Sequence, residues 1–262
     1  MGRALIGGLI AHGVPAHRIR VGEAFEPSRT ALARQLAVHA VPDNSAAVQD
    51  AGVIVLAVKP QDARAALEAL AADLQRRRPL VVSVAAGIRI QDLESWCGPG
   101  VPIVRAMPNR PAFMRAGVTG LYAPPQVRAE QRAAAEQLLR AVGEIVWVGA
   151  EGDLDIVTAL SGSGPAYCFL LAELMMQAAA GLGLEPEAAR TLAVATLYGA
   201  GQLAHASDGD LARLRAEVTS KGGTTEAALR VFEAEGLGGL VARALSAATQ
   251  RSRELATQFG KS

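Results

Sequence analysis

The chain has few cysteines, no strong excess of charge of either sign and no long apolar run, and each shortage excludes a class of protein. Cys97 and Cys168 are the only cysteines, which excludes a disulfide framework and a cysteine-rich metal site. With 26 Lys and Arg against 25 Asp and Glu, the net charge of +1 leaves no basic field for nucleic acid and no polybasic membrane anchor. No stretch reaches the roughly 18 consecutive apolar residues of a membrane span, and the N-terminus lacks the layout of a signal peptide. We therefore expect a cytoplasmic protein whose partner is a small molecule.

Familiar catalytic and metal-binding motifs are missing too. The four histidines, His12, His17, His39 and His205, are scattered without metal-ligand spacing. We interpret them as surface or boundary residues and expect no metal site. The motifs G-x-S-x-G, G-x-x-x-x-G-K-[ST] and H-E-x-x-H do not occur.

Hydrophobic patterning divides the chain into two halves. Residues 1–149 alternate short β-branched runs with helical stretches, as βαβ units do, and strands are predicted in 18–24, 52–58, 80–86, 101–107, 117–123 and 143–149. From residue 150 the strand signal stops, and helices are predicted over 152–161, 165–182, 186–206, 210–217, 224–235 and 238–258. The sequence therefore predicts an α/β domain over residues 1–149 and an all-α domain over residues 150–262.

Small residues follow two of the predicted strands. "VLAVKPQ" (55–61) is an apolar strand that ends in Lys-Pro, and "SVAAGI" (83–88) places alanines and a glycine after the next strand. Ligands of open α/β sheets bind at the carboxyl ends of strands, so both stretches are candidates for ligand contact. The plainer alternatives are a proline turn with a solvated lysine and a tight βα turn.

Two further stretches combine proline with polar residues. "RAMPNRPAF" (105–113) makes a stiff loop able to hold the amide of Asn109 toward a pocket, with a rigid turn as the alternative. "LSGSGPAY" (160–167) interrupts the helical half, with Ser163 as a candidate N-cap and Pro165 suited to the first turn of the next helix. A helix cap alone would explain that stretch, although its glycines also permit the close approach of a ligand.

The stretch "VTSKGGTTEAAL" (218–229) is the most suggestive of an anion site. Small, hydroxylated and glycine residues precede a helix, so backbone N–H groups and the positive end of the helix dipole converge there. A capping box would consume these donors, but neither Thr224 nor Thr225 has the required Glu or Gln three residues later. A carboxylate or phosphate is the expected ligand, with an ordinary threonine-capped helix as the alternative.

Taken in order, these five stretches resemble the successive signatures of the pyrroline-5-carboxylate reductase family, and "ATQRSREL" (248–255) is similar to the family's last helix. The resemblance covers nearly the whole chain. It implies a Rossmann-like domain for NAD(P)H and a helical domain through which two chains dimerise by intertwining, often within a decamer. The implied reaction moves a hydride to the C=N carbon of 1-pyrroline-5-carboxylate and gives L-proline, the last step of proline biosynthesis.

The resemblance and the strand ends together give the expected site residues. Cofactor contacts are expected at Gly2, Ser28, Arg29, Asn44, Ala57, Val58, Lys59, Pro60, Val84, Ala85, Ala86, Gly87 and Asn109. The substrate carboxylate would be bound by Ser220, Gly222, Gly223, Thr224 and Thr225. A protonated imine is intrinsically electrophilic, so positioning supplies most of the catalysis. Our hypothesis gives Thr225 the catalytic role of donating a hydrogen bond to the ring nitrogen.

The chain departs from the family pattern at three places. Lys221 stands where the family usually has proline and Arg110 where it usually has threonine, so both add positive charge near the expected site. We expect Lys221 to point to solvent, because the neighbouring Gly222-Gly223 backbone is intact. The third departure is N-terminal: Gly2 aligns with the last glycine of the family's G-x-G-x-x-G turn, and the first strand and first two glycines are absent.

The absent strand lies in the middle of the family's sheet. Without it, we expect its two neighbours to expose unpaired edges, at a cost of several kcal/mol if each buried unpaired group costs about 1–3 kcal/mol. The preferred hypothesis is a start codon assigned too far downstream, with a real truncation as the alternative. Reading the upstream codons distinguishes the two.

The choice of cofactor and of reaction leaves alternatives open. In "VGEAFEPSR" (21–29), Glu23 and Glu26 favour NAD, whereas Ser28 and Arg29 favour the phosphate of NADP. We follow the family preference for NADPH, with NADH as the alternative.

A β-hydroxyacid dehydrogenase would need a lysine on a helix of the second domain, and the only lysines are Lys59, Lys221 and Lys261. Another imine reductase, or an inactive reductase-like binding protein, completes the alternatives, and NADPH binding tests the last of them.

Overall fold

The computed structural model describes residues 1–260, which form two compact units, and Lys261 and Ser262 lie outside the described residues. The first unit contains Met1–Gly162 together with the chain from Ala248 onward, and the second contains Ser163–Ala247. Packing therefore groups residues 150–162 with the α/β half. One reason is the contact of Val157 with Gly120, where a Cβ on the glycine would lie 2.7 Å from the valine Cγ1. The predicted domain division after residue 149 stays a prediction.

Seven strands belong to the first unit. They are β1 (Arg20–Gly22), β2 (His39–Val41), β3 (Val53–Leu56), β4 (Leu80–Ser83), β5 (Ile103–Met107), β6 (Gly117–Tyr122) and β7 (Gly143–Trp147). The six predicted strands are confirmed with shorter bounds. Sequence reasoning missed β2, because a strand of three residues that ends before Pro42 carries too little periodicity to be indicated.

The strands form two sheets. One has the order β3-β4-β5-β6-β7, and the other consists of β1 and β2 in parallel. Within residues 1–260, no strand pairing joins the two sheets. Strand β3 is consequently an edge strand, and its Val53, Ile54 and Val55 are only half-buried, whereas all four residues of the neighbouring β4 are buried.

The predicted βαβ pattern is wrong at one connection. Strands β3, β4 and β5 are parallel, but β6 runs antiparallel to β5, with Arg105 opposite Tyr122 and Met107 opposite Gly120. Residues 108–116 between them are too few for a crossover helix and contain only the 3₁₀ helix Arg110–Met114. Strand β7 then pairs parallel with β6 after an intervening helix.

The helices of the first unit are α1 (Gly2–Ala11), α2 (Glu26–Leu36), α3 (Asn44–Val48), α4 (Pro60–Glu68), α5 (Ala71–Arg77), α6 (Ile90–Cys97), α7 (Ala129–Arg140) and α8 (Asp153–Val157). Helices α2 and α3 contact the small sheet of β1 and β2, whereas α1, α4, α6 and α7 cover both faces of the larger sheet. Successive side chains of a strand point to opposite faces. Val81 of β4 accordingly packs with α4 and α6, and Val82 packs with α1 and α7.

The remaining helices confirm the all-α prediction. They are α9 (Gly164–Gly181), α10 (Pro186–Ala206), α11 (Leu211–Glu217), α12 (Thr224–Ala234) and α13 (Leu237–Phe259). The predicted interruption at 160–167 takes a different form, since a π-helical turn over Thr158–Gly162 leads from α8 almost directly into α9. Thr158 and Ser161 donate their hydroxyl protons to the carbonyls of Leu154 and Val157, one turn earlier in the helix. Ser163 stands at the N-cap position of α9 but makes no side-chain capping bond.

Two glycines of α1 provide a matched test of its packing. A Cβ on the buried Gly8 would lie 2.5 Å from the carbonyl oxygen of Ala141 and 2.6 Å from Cγ1 of Val142, whereas a Cβ on Gly7 would meet nothing within 4 Å. We expect Gly8→Ala to lower the free energy of unfolding by about 1–3 kcal/mol through overpacking. Gly7→Ala should raise it by about 0.5–1 kcal/mol through helix propensity. Urea denaturation measures both, and equal effects would contradict the close packing at Gly8.

Candidate functional site

The predicted cofactor residues of the first unit cluster at strand ends and helix starts. Residues Ala57–Pro60 follow β3, residues Val84–Gly87 follow β4, and Asn44 begins α3 after β2. Gly2 begins α1, and a Cβ on it would lie 3.3 Å from the Cβ of Ala57. The structure thus brings the start of α1 next to the carboxyl end of β3, the edge at which α/β sheets bind ligands.

Asn44 and Arg29 lie beside the carboxyl end of β1. A Cβ on Gly22 would overlap Oδ1 of Asn44, so a larger residue at this position would displace the Asn44 side chain. The guanidinium of Arg29 donates to the carbonyls of Glu23 and Ala24 at 3.0 and 3.1 Å. The Glu23 carboxylate turns back to accept the N–H of Phe25 at 3.0 Å. Ser28 is half-buried in the first turns of α2.

The residues at this edge fit a dinucleotide. Helix α1 begins at Gly2 without a side-chain cap, so its first N–H groups are available to a phosphate. Ala57, Val58, Lys59 and Ala86 are exposed, and the two alanines leave room for close approach to the backbone. Gly87 has a φ of +77°, a left-handed conformation that favours glycine and turns the chain after β4.

Asn109 has a structural position within this unit. It is only 8% exposed, and its amide nitrogen donates to the carbonyl of Ser161 at 3.2 Å. Its Oδ1 accepts the N–H of Val118 at 2.9 Å. These bonds use the amide to fix the turn between β5 and β6, and the cofactor contact expected for Asn109 stays a prediction.

The predicted substrate loop belongs to the second unit. The N–H of Gly223 donates to the carbonyl of Ser220 at 3.0 Å, and Gly222 has a φ of +74°, so residues 220–223 form a type II turn. A Cβ on Gly223 would overlap Oγ of Ser220. The turn leads into α12, whose N-cap is Gly223 and has no side-chain capping bond. Lys221 is exposed at the tip of the turn.

Glu226 was missed by the sequence reasoning about this loop. Neither threonine has a Glu or Gln three residues later, but the cap of α12 is Gly223, so Glu226 occupies the third helical position, from which a capping-box carboxylate reaches back. Its Oε2 accepts the N–H of Gly222 at 2.6 Å, and its Oε1 lies 3.2 Å from Nη2 of Arg230. One donor of the expected anion seat is therefore engaged by an internal carboxylate. Counting three residues from each glycine as well as each threonine would have indicated it.

Strong acid, base or nucleophile chemistry has little support in the described residues. Burial raises the pKa of the Cys97 thiol to about 12, so this thiol stays protonated and unreactive near neutral pH. Among residues 1–260, no group of three His, Cys, Asp or Glu side chains could hold a metal ion.

The first unit contains a buried ion pair, because Arg105 is 5% exposed and its guanidinium lies 2.7 Å from the carboxylate of Glu151. Burial lowers the pKa of that guanidinium.

The second unit exposes a broad apolar surface. No residue of α9 is buried, and exposed large side chains of α9 and α10 include Phe169, Leu170, Leu171, Leu174, Leu192 and Tyr198. Such a surface is typical of a protein interface. The helical stretch Asp153–Gly181 is also long and apolar enough to cross a membrane, with 17% of its most apolar window buried. This is weak evidence for a membrane, because helices packed inside soluble proteins pass the same test.

Comparisons with known proteins identify both halves of the chain. Residues 151–255 match the family model for pyrroline-5-carboxylate reductase dimerisation, and residues 1–87 match the model for NADP oxidoreductase, coenzyme F420-dependent. A pyrroline-5-carboxylate reductase of Pseudomonas aeruginosa is 49% identical over 261 residues, which cover 100% of this chain and 95% of the relative. One of Vibrio alginolyticus is 38% identical over 99% of this chain and 95% of its own length.

Solved structures agree with these relatives. The structure of a pyrroline-5-carboxylate reductase from Coxiella burnetii is 41% identical and superposes with a TM-score of 0.94 over 97% of this chain and 94% of its own. The Plasmodium falciparum pyrroline carboxylate reductase, a structure with NADP bound, is 26% identical with a TM-score of 0.83 over 98% of this chain and 94% of its own. The predicted family and fold class, a Rossmann-like domain followed by a helical dimerisation domain, are confirmed.

Proposed function

Because this chain belongs to the pyrroline-5-carboxylate reductase family, we propose that it reduces the C=N bond of 1-pyrroline-5-carboxylate with NADPH and gives L-proline. The observation that carries the proposal is the turn over residues 220–223, which leads into the uncapped start of α12. Exposed N–H groups at a helix start suit the carboxylate that this substrate carries. The strand ends of the first unit supply the corresponding seat for the dinucleotide.

The cofactor is a nicotinamide dinucleotide, and we propose NADPH as the preferred form. The main support is the start of α2, the helix that follows β1, where a 2′-phosphate would meet Ser28 and Arg29. The Glu23 carboxylate, which would favour NADH by binding ribose hydroxyls, accepts a backbone N–H instead. The pyrophosphate would lie at the start of α1, and the remaining contacts would come from residues 57–60 and 84–87.

The chain's own residues act by binding and orienting. A reduced nicotinamide, when bound, supplies the hydride. The first N–H groups of α12 hold the substrate carboxylate. The hydroxyl of Thr225 donates a hydrogen bond to the lone pair of the neutral ring nitrogen, and it relays to that nitrogen from solvent the proton that balances the transferred hydride. Correct placement of two reactants accounts for a large share of such catalysis, so a strong side-chain acid is not required.

The protein forms homo-oligomers through its dimerisation region. We propose an intertwined homodimer as the basic assembly and a decamer as the larger one, in which the apolar surface of α9 and α10 is covered by a second copy. Light scattering of the purified protein measures the assembly size. We also propose a cytoplasmic location, supported by the free thiols of Cys97 and Cys168.

The proposed activity is tested by following NADPH oxidation with 1-pyrroline-5-carboxylate. This chain and a version extended upstream in the same reading frame are assayed side by side, with reactions lacking the imine as controls. We expect consumption of NADPH that depends on the imine and formation of L-proline. If neither version oxidises NADPH, the reductase assignment is overturned. Binding of NADPH without turnover would favour the reductase-like binding protein.

Thr225 is the residue whose role is easiest to isolate. We expect Thr225→Val to lower kcat by about tenfold or more, because the hydrogen bond to the ring nitrogen is lost, and Thr225→Ser to restore most of the rate. Thr219→Val is the matched control, since the Thr219 hydroxyl donates to the carbonyl of Arg215 within the preceding helix. Wild-type turnover in Thr225→Val would show that the hydroxyl has no part in the reaction.

We expect the carboxylate of Glu226 in the wild-type protein to weaken binding of the substrate carboxylate. We expect Glu226→Ala to lower the KM for 1-pyrroline-5-carboxylate by about twofold to fivefold, because it frees the N–H of Gly222 and removes a like charge. Glu226→Gln separates the charge from the hydrogen bond, and Glu233→Ala is the control at an exposed acid of the same helix. A raised KM in Glu226→Ala would mean instead that the carboxylate holds the turn in its binding geometry.

A further inference from the structure

We propose that the C-terminal turns of α13 act as a clamp on the loop formed by residues 84–89. The clamp consists of Ser252, Ala256 and Phe259 of α13 together with Asp155 of α8, which links α13 to the loop, and these residues act as positioning residues for the dinucleotide. The inference rests on the proposed function, because that function assigns residues 84–87 to the cofactor. All clamp residues belong to the same compact unit as the loop.

The polar part of the clamp is a buried carboxylate with a partner on each oxygen. Asp155 is 2% exposed, and its Oδ2 lies 2.6 Å from Nη2 of Arg89, the last residue of the loop. Its Oδ1 accepts the hydroxyl proton of Ser252, which is itself buried, at 2.7 Å. Since charge-assisted hydrogen bonds gain strength away from water, this carboxylate fixes both the loop end and the helix α13.

The apolar part of the clamp lies against the middle of the loop. A Cβ built on Gly87 would lie 3.0 Å from Cδ2 of Phe259 and 3.6 Å from the backbone nitrogen of Ala256. The aromatic ring therefore contacts the backbone where the chain takes its left-handed conformation. Ala256 is buried, and Phe259 packs on the core cluster that contains Ile88.

A second carboxylate holds the start of the helix that follows the loop. The N–H of Ile90, the first residue of α6, donates to Oε1 of Glu151 at 2.7 Å, and the same oxygen accepts from Nη1 of Arg105 at 2.7 Å. The loop is thus anchored at its end by residues 151–155 and in its middle by α13. Ala86, between these anchors and β4, remains exposed for a ligand.

A loop that is already fixed in its binding conformation binds its ligand without a further entropic cost of ordering. Loosening the clamp should therefore lower the affinity for the dinucleotide. Ser252→Ala removes one hydrogen bond to Asp155. We expect it to raise the KM and the dissociation constant for NADPH by about threefold to tenfold, with kcat and the KM for the imine unchanged. Phe259→Ala should act in the same direction, and Phe259→Leu should restore part of the affinity.

Thr257→Ala is the matched control. Thr257 lies on the same helix, is exposed, and donates its hydroxyl proton to the carbonyl of Arg253. NADPH affinity is measured by fluorescence titration, and hydrogen–deuterium exchange of residues 84–92 is measured without cofactor. We expect faster exchange of this segment in Ser252→Ala and Phe259→Ala but not in Thr257→Ala.

The two readouts separate the clamp from the proposed function. Unchanged exchange and unchanged NADPH affinity in both Ser252→Ala and Phe259→Ala would overturn the clamp while leaving the reductase assignment intact. Faster exchange with unchanged NADPH affinity would also overturn it, because the contacts would then be structural only. If the wild-type protein bound no NADPH, the proposed function would fail, and with it the cofactor role of the clamp, whatever the exchange showed.

Discussion

The buried carboxylate of Asp155 joins three chain segments that are remote in the sequence, and the packing of the first unit depends on it. Burying a carboxylate is costly unless its oxygens are paired, and here Arg89 and Ser252 provide one partner for each oxygen. The pairing holds the turns of α13 from Ala248 onward with residues 1–162 rather than with the helices that precede them. The end of a helix that begins in the second unit therefore belongs to the core of the first.

In each unit, the proposed binding region is built from backbone groups and small residues. In the first unit, Gly2, Gly22 and Gly87 allow the close approach of neighbouring elements at the strand ends. In the second, the turn at Gly222 leads into an uncapped helix start. The thiol of Cys97 is held neutral by burial. Such a site suits an electrophilic imine, since its reduction requires placement of two reactants more than a strong acid.

The larger elements could be predicted because their periodicity is long or strongly apolar. Strand β4 agrees with its almost wholly apolar sequence, since all four of its residues are buried, and α10 agrees with its predicted range of 186–206. Strand β2 is too short to leave such a signal. The parallel direction predicted for β6 was wrong, because the spacing of strands along the sequence does not distinguish a short antiparallel connection from a crossover. The role of Glu226 was missed because it depends on which residue caps α12.

The sequence by itself determined the order of elements, the division into an α/β and a helical half, and the family to which the motifs belong. Local periodicity, helix punctuation and motif order are properties of neighbouring residues, so no structure was needed to find them. The tertiary structure alone decided that the side-chain amide of Asn109 forms hydrogen bonds with the backbone of Val118 and Ser161. It also decided that the side chains of Arg89, Asp155 and Ser252 lie within hydrogen-bond distance. Residues 89, 155 and 252 are far apart along the chain, and only packing of the core brings their side chains within hydrogen-bond distance.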